Sequence, residues 1–209
     1  MSRQPAAIKF CGITRVEDAV VANQLAVDAI GLVFWSKSKR SLNSLQQATE
    51  IAAVCSPFVS VTGLFVDPDV EWVERVLAAV PLNLIQFHGS ETDAFCRQFQ
   101  RPFIKALRMK EDIDLKQAAQ SFASARGVLL DTYCKGSPGG TGVAFDWKRF
   151  PEDAERKFVL AGGLKPENVA QAIQISGANA VDVSGGIESS PGVKDPVLMK
   201  SFVDAVRSP

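Results

Sequence analysis

Eight short apolar runs recur along the chain about once every 20–30 residues: Ala7–Cys11, Ala29–Phe34, Val59–Val66, Leu84–Phe87, Phe103–Leu107, Val128–Asp131, Phe158–Ala161 and Ala180–Val183. Between them the apolar residues fall at helical spacing. Trp72, Val73, Val76, Leu77 and Val80 make one helix face; so do Leu115, Ala118, Ala119 and Phe122, and again Met199, Phe202, Val203 and Val206. Strand–helix alternation of this kind means parallel strands joined by helical crossovers. Eight units with no linker or low-complexity stretch predict the α/β class and a single (β/α)8 TIM barrel, with residues 1–209 as one domain. An open doubly wound sheet is the competing architecture. A leucine-rich solenoid is disfavoured because the LxxLxL pattern is absent.

Local signals agree with this reading. Thr14 with Glu17, and Ser44 with Gln47, have capping-box spacing. Pro166 and Pro196 suit a first helical turn, where a missing N–H costs nothing. Gly177 suits the end of the helix after the seventh strand. A short helix is expected near Asp146–Phe150.

Composition narrows the function. The 23 basic and 23 acidic residues cancel, so no polyanion-binding surface is indicated and nucleic acid is not an expected partner. No apolar run approaches the ~18–20 residues of a membrane span, and the first ten residues carry no apolar signal region. Cys11, Cys55, Cys96 and Cys134 are widely spaced with no CxxC pair, and read as reduced thiols of a cytoplasmic protein. No HExxH or other His/Asp/Glu cluster implies a metal, and with one histidine no Ser–His–Asp set is readable.

In such a barrel the chemistry sits at the C-terminal ends of the strands. That rule selects Cys11, the segment Ser36–Arg40, Asp67, His88, Arg108, Asp131, the pair Gly162 and Gly163, and the stretch Ser184, Gly185 and Gly186. The two glycine pairs follow strands 7 and 8, where barrels often hold phosphate against backbone N–H groups. A third glycine-rich stretch, 136–142, matches neither a Walker A loop nor GxGxxG, and reads as a loop beside the site. Asp131 ends an apolar strand, where desolvation raises a carboxyl pKa and suits it to general acid work. Cys11 ends strand 1 on the face that carries Lys9. A thiol titrating near ~8.5 needs only a modest electropositive shift to become a thiolate base. Strands 1 and 6 lie opposite each other in a ring of eight, so thiol and carboxyl would face one another across the mouth. Arg40 could hold a carboxylate with its fork, while His88 and Asp182 are candidates for substrate contact.

These segments together resemble the phosphoribosylanthranilate isomerase family. The matches are KFCGIT at 9–14 with EDA at 17–19, GLVF at 31–34 with SKR at 38–40, and QFHG at 86–89. They continue with LDT at 130–132, GGTG at 139–142 with FDW at 145–147, LAGGL at 160–164 with PEN at 166–168, and VDVS at 181–184 with Gly186. The resemblance covers roughly residues 8 to 205. It departs at Trp35-Ser36, where an aromatic–proline pair is usual, at Val143, where lysine is frequent, and at the additional thiol of Cys134.

The resemblance implies an Amadori rearrangement of N-(5-phosphoribosyl)anthranilate in tryptophan biosynthesis, with no cofactor and with a phosphorylated small molecule as partner. It implies Cys11 as general base, Asp131 as general acid, Arg40 on the anthranilate carboxylate, and the loops at Gly162–Gly163 and Ser184–Gly186 on the phosphate. His88 and Asp182 fall at motif positions near the site. Oligomeric state is open, with a monomer as the family's frequent form. Two other readings stand beside this one. The first is a different sugar-phosphate barrel enzyme, for which Lys105 near the end of strand 5 could serve as a Schiff-base lysine. The second is a barrel that binds a phosphorylated ligand without turnover.

Overall fold

In the computed structural model, which describes residues 5–132, 146–151 and 157–208, the eight apolar runs form one closed parallel barrel. The strands are β1 (Ala7–Cys11), β2 (Ala29–Val33), β3 (Ser60–Phe65), β4 (Leu84–Phe87), β5 (Phe103–Met109), β6 (Gly127–Thr132), β7 (Phe158–Leu160) and β8 (Ala180–Val183). Each pairs with the next, and β8 closes on β1 with Lys9 opposite Asp182. The open sheet is thereby excluded. The helices are α1 (Val16–Gln24), α2 (Leu45–Ala53), α3 (Val70–Ala79), α4 (Asp93–Arg97), α5 (Leu115–Gln120), α6 (Val169–Ser176) and α7 (Pro196–Arg207).

Period-two alternation divides each strand between two environments. Outward residues such as Ile8, Phe10, Ile30, Leu32, Ile85, Phe87 and Leu130 join Val73, Val76, Met199 and Phe202 of the helices in the main core. Inward residues behave differently. Ile104, Ala106, Leu129 and Ala161 form a small separate cluster with Leu84 and Val159 against it. Buried polar side chains are also present: Lys9, Thr62, Gln86, Asp131 and Asp182.

Several local expectations change. The side chain of Thr14 does not cap α1; Arg15 is the N-cap, and the Thr14 hydroxyl donates to the carbonyl of Gly192. Ser44 does cap α2, accepting from the Gln47 N–H at 3.2 Å, but the Gln47 amide reaches the Thr14 carbonyl instead of completing a box. Pro196 is in the first turn of α7, whereas Pro166 lies in a turn before α6. Gly177 ends α6 in the left-handed region, φ 72°. The short helix near 146–150 is a 3-10 turn at Trp147–Arg149, capped by Asp146. Arg108 lies within β5, which runs two residues beyond its expected end. The glycine-rich stretch 136–142, Val143 and Cys134 lie outside the described residues.

One feature was not expected from the sequence. After β8 comes a 3-10 turn at Gly185–Ile187, then a small antiparallel hairpin of β9 (Glu188–Ser190) and β10 (Val193–Lys194). Its turn holds Pro191 and Gly192, with Gly192 at φ 87°.

Candidate active site

The C-terminal ends of the strands surround a cavity of about 460 Å³. Cys11, Arg40, His88, Asp131, Gly162, Gly163, Asp182, Ser184, Gly185 and Gly186 all line it. The residues the sequence reading gave catalytic, substrate-binding or phosphate-binding roles are therefore on one surface. Asp67 and Arg108 are not among the lining residues. Asp67 instead has φ 44°, and its carboxylate accepts from the Ser90 N–H at 2.5 Å.

The thiol comes first. Cys11 ends β1 and is buried, on the same strand face as Lys9. Burial pushes its thiol above the ordinary value, and the neighbouring Lys9 and Lys194 ammonium groups pull it back only in part. The sequence anticipated a lowered thiol from a nearby cation. The cation is present, but desolvation outweighs it. Lys9 Nζ donates to Asp182 Oδ1 at 2.8 Å across the β1–β8 seam. Burial opposes charge on Lys9, yet Asp182 and Cys11 outweigh it and hold the ammonium above its ordinary pKa. At Asp182 burial is the larger effect, and the carboxyl is raised against the pull of Lys9.

Asp131 stands on β6, three strands from β1 by way of β8 and β7 and not directly opposite it as the sequence reading expected, and accepts from the Thr132 N–H at 2.9 Å through Oδ1. Its Oδ2 is 3.2 Å from His88 Nε2. The Gln86 amide nitrogen lies 3.2 Å from His88 Nδ1. An amide nitrogen only donates, so this arrangement puts the imidazole proton on Nε2, where it donates to Asp131. His88 thus orients the carboxyl.

The two glycine loops have specific backbone needs. Gly162 has φ 83°, and a Cβ there would run into Thr132; a Cβ on Gly186 would overlap the carbonyl of Leu164. Only glycine lets these loops lie so close. Between them, the buried Ser184 Oγ has no hydrogen-bond partner among the described residues.

Arg40 reaches the cavity rim but does not stand alone. Its Nε and Nη2 each donate at 2.7 Å to the two oxygens of Glu188 on β9. Glu188 also accepts from Lys194 Nζ at 2.7 Å. Burial would raise the Glu188 carboxyl, but the Arg40 and Lys194 bonds reverse that and hold it below its ordinary value. Sequence reasoning missed both residues. The turn dipeptide Pro191-Gly192 between two short polar stretches was the available sign of a hairpin.

Lys105 does not face the cavity as the Schiff-base reading required. It points away from the barrel interior, pairs with Glu91 at 2.7 Å, and stands 5.4 Å from the centre of the Phe122 ring. A Schiff-base lysine would need to face the cavity, so this candidate for aldolase chemistry falls. Among the described residues, no group of three or more His, Cys, Asp or Glu side chains is placed to hold a metal. No helix among them is long and apolar enough to cross a membrane.

Fold and cavity together define a class, a (β/α)8-barrel enzyme with a polar mouth sized for a small ligand. A family model described as N-(5'phosphoribosyl)anthranilate (PRA) isomerase matches residues 8–205. An N-(5'-phosphoribosyl)anthranilate isomerase of Pseudomonas fluorescens is 51% identical over 199 residues, covering 95% of this chain and 97% of the relative. That of Neisseria gonorrhoeae is 50% identical over 195 residues, 93% of each chain. The crystal structure of the Thermotoga maritima enzyme superposes with a TM-score of 0.87 at 36% identity, covering 97% of this chain and 98% of that one. A phosphoribosyl anthranilate isomerase crystallised with reduced 1-(o-carboxyphenylamino)-1-deoxyribulose 5-phosphate gives a TM-score of 0.84, also at 36% identity and with the same coverage. The chain belongs to the N-(5'-phosphoribosyl)anthranilate isomerase family, and its activity is that isomerisation, a step of tryptophan biosynthesis.

Proposed function

We propose that Cys11 and Asp131 carry out the Amadori rearrangement as a base–acid pair acting on the bound aminoaldose from two different strands of the barrel. Asp131 gives a proton to the furanose ring oxygen. The C1–O bond breaks as the nitrogen lone pair forms an iminium at C1. The Cys11 thiolate then removes the C2 proton, and the C2–H electrons form a C1=C2 bond while the iminium electrons return to nitrogen. The resulting enolamine loses its hydroxyl proton and gains one at C1, giving 1-(2-carboxyphenylamino)-1-deoxyribulose 5-phosphate. The iminium is the electron sink, so the proposed path calls on no cofactor.

The observation that carries this reading is the placement of the Cys11 thiol on β1 and the Asp131 carboxyl on β6, three strands apart round one ring, lining one cavity. The other roles follow from chemistry at the rim. The backbone of Gly162, Gly163, Gly185 and Gly186, with the Ser184 hydroxyl, takes the phosphate. Arg40 takes the anthranilate carboxylate through Nη1, which is left over from its bonds to Glu188. His88 steadies Asp131, and Asp182 meets a sugar hydroxyl while holding Lys9 beside the thiol. All of these roles fall on one chain, so a monomer suffices for activity. The unpaired state of Cys11, Cys55 and Cys96 suits the reducing cytoplasm.

The test is turnover of phosphoribosylanthranilate generated in situ, followed by loss of its fluorescence with EDTA present. Cys11→Ala and Asp131→Asn should each lower kcat by about 10²–10⁴-fold, the usual contribution of one positioned proton transfer. Thermal melts should stay near wild type. Near-normal turnover in either variant would reject the assignment of that residue.

A further inference from the structure

We propose that Glu188 and Lys194 are positioning residues that fix the angle and distance at which Arg40 meets the substrate's aryl carboxylate. The inference rests on the reading of Arg40 given above. A carboxylate at the rim of a cavity for an anionic substrate repels its ligand, and Glu188 is such a group, its side chain only 4% exposed. A residue with that drawback needs an offsetting use.

The geometry supplies one. Two bonds of 2.7 Å, from Nε and Nη2, pin the plane of the Arg40 guanidinium as one bond could not. Nη1 makes no hydrogen bond among the described residues and is aimed by default. Charge is balanced as well: Arg40 and Lys194 contribute two positive charges and Glu188 one negative. One unit of positive charge remains, which matches one carboxylate.

Lys194 ties this clamp to the catalytic strand. Its side chain is fully buried, and its three ammonium hydrogens meet three acceptors: the Cys11 carbonyl at 2.6 Å, the Ser184 carbonyl at 3.2 Å and Glu188 Oε1 at 2.7 Å. The end of β1, the end of β8 and the hairpin are thus joined at one nitrogen. The hairpin is held at its base too. The Lys194 N–H donates to Asp18 Oδ2 at 3.2 Å, Arg15 Nη2 donates to the Lys194 carbonyl at 3.2 Å, and the Asp195 N–H reaches the Ile187 carbonyl at 2.9 Å. A continuous chain of short contacts therefore runs from the backbone of Cys11 through Lys194 and Glu188 to Arg40. It sets the span between the group that abstracts the C2 proton and the group that holds the ring.

The experiment compares dissociation constants of two probes: reduced 1-(o-carboxyphenylamino)-1-deoxyribulose 5-phosphate and its phenylamino counterpart without the carboxylate. Wild type should prefer the carboxylated probe. Glu188→Ala should cut that preference by about tenfold or more, leaving affinity for the carboxylate-free probe within about twofold. Glu188→Asp keeps the charge but is one methylene short, so it should behave like Glu188→Ala. Glu188→Gln keeps the shape and one accepting oxygen, and should lie between, which also guards against a folding defect in the alanine variant. Equal loss of affinity for both probes would mean a merely structural role and overturn the proposal, as would a preference unchanged in Glu188→Ala or a wild-type preference in Glu188→Asp. Arg40→Ala separates the two readings. If it abolishes the preference while Glu188→Ala does not, the positioning role alone fails. If it leaves the preference intact, the reading of Arg40 fails and the positioning role goes with it.

Discussion

Three cysteines among the described residues show how environment divides one side-chain type. Cys96 is the buried residue of α4, and burial pushes its thiol up to about 12, so it acts as a small apolar residue. Cys55 is raised by burial alone. Cys11 is raised too, but it lines the cavity with two ammonium groups beside it. Only thiolate reacts with iodoacetamide, and a pKa raised above the ordinary thiol value keeps the thiolate fraction climbing through neutral and mildly alkaline pH. The alkylation rate of Cys11 should therefore rise steeply between pH 7 and 8 and still be climbing at pH 9, and loss of activity should follow it. Mass spectrometry of the modified peptide at each pH checks this. A plateau below pH 8 would mean that the ammonium groups, not burial, dominate. That Cys11 and Asp131 line the cavity was legible in the sequence, because each stands at or next to the last position of a strand. Glu188 was not, since it sits in a polar stretch that reads as surface. Its burial depends on Arg40, 148 residues earlier, and on Lys194, six later.

Elements follow the same logic one level up. All eight strands were legible within about two residues, because apolar runs bounded by helical periodicity leave few alternatives. Capping was legible only where no tertiary partner competed. The Ser44 hydroxyl keeps its local bond, while that of Thr14 is taken by the hairpin turn at Gly192. The hairpin stayed hidden because β9 and β10 are three and two residues long, too short for any period to show. Asp69 gives a clean measure of one local bond. It caps α3 by accepting from the Trp72 N–H at 2.6 Å, and it lies outside the cavity lining. Asp69→Ala should destabilise the fold by ~1 kcal/mol, with Asp69→Asn recovering most of that. A drop of about 2–4 °C in Tm is the corresponding shift for a chain of this size, with kcat and KM unchanged. Unchanged Tm would mean that tertiary packing, not the cap, holds the first turn of α3.

At the scale of the whole barrel, closure is uneven. β5 and β6 share six register pairs, from Ile104↔Gly127 to Met109↔Thr132, whereas β7 and β8 share one, Leu160↔Val181. The seam with fewest strand pairings lies between the two strands whose loops carry the glycine pairs. A phosphate bound by the backbone of both loops would bridge that seam, supplying in the complex contacts that the strands themselves do not make. Ligand binding slows an opening that releases the ligand by the factor 1 + [L]/Kd, about 100-fold at 100 times Kd. Hydrogen exchange should therefore find the amides of β7 and the start of the Gly162 loop among the fastest of the barrel strands. Inorganic phosphate should slow them selectively, with chloride at equal ionic strength as control. Gly186→Ala, whose Cβ would overlap the Leu164 carbonyl, should lose that protection while the amides of β5 and β6 exchange as before. Uniform slowing of all strands would place the anion elsewhere. Slow exchange at β7 without phosphate would mean that the outward packing of Phe158 and Leu160 already closes the seam, and that the loops are shaped for the ligand without being needed to complete the barrel.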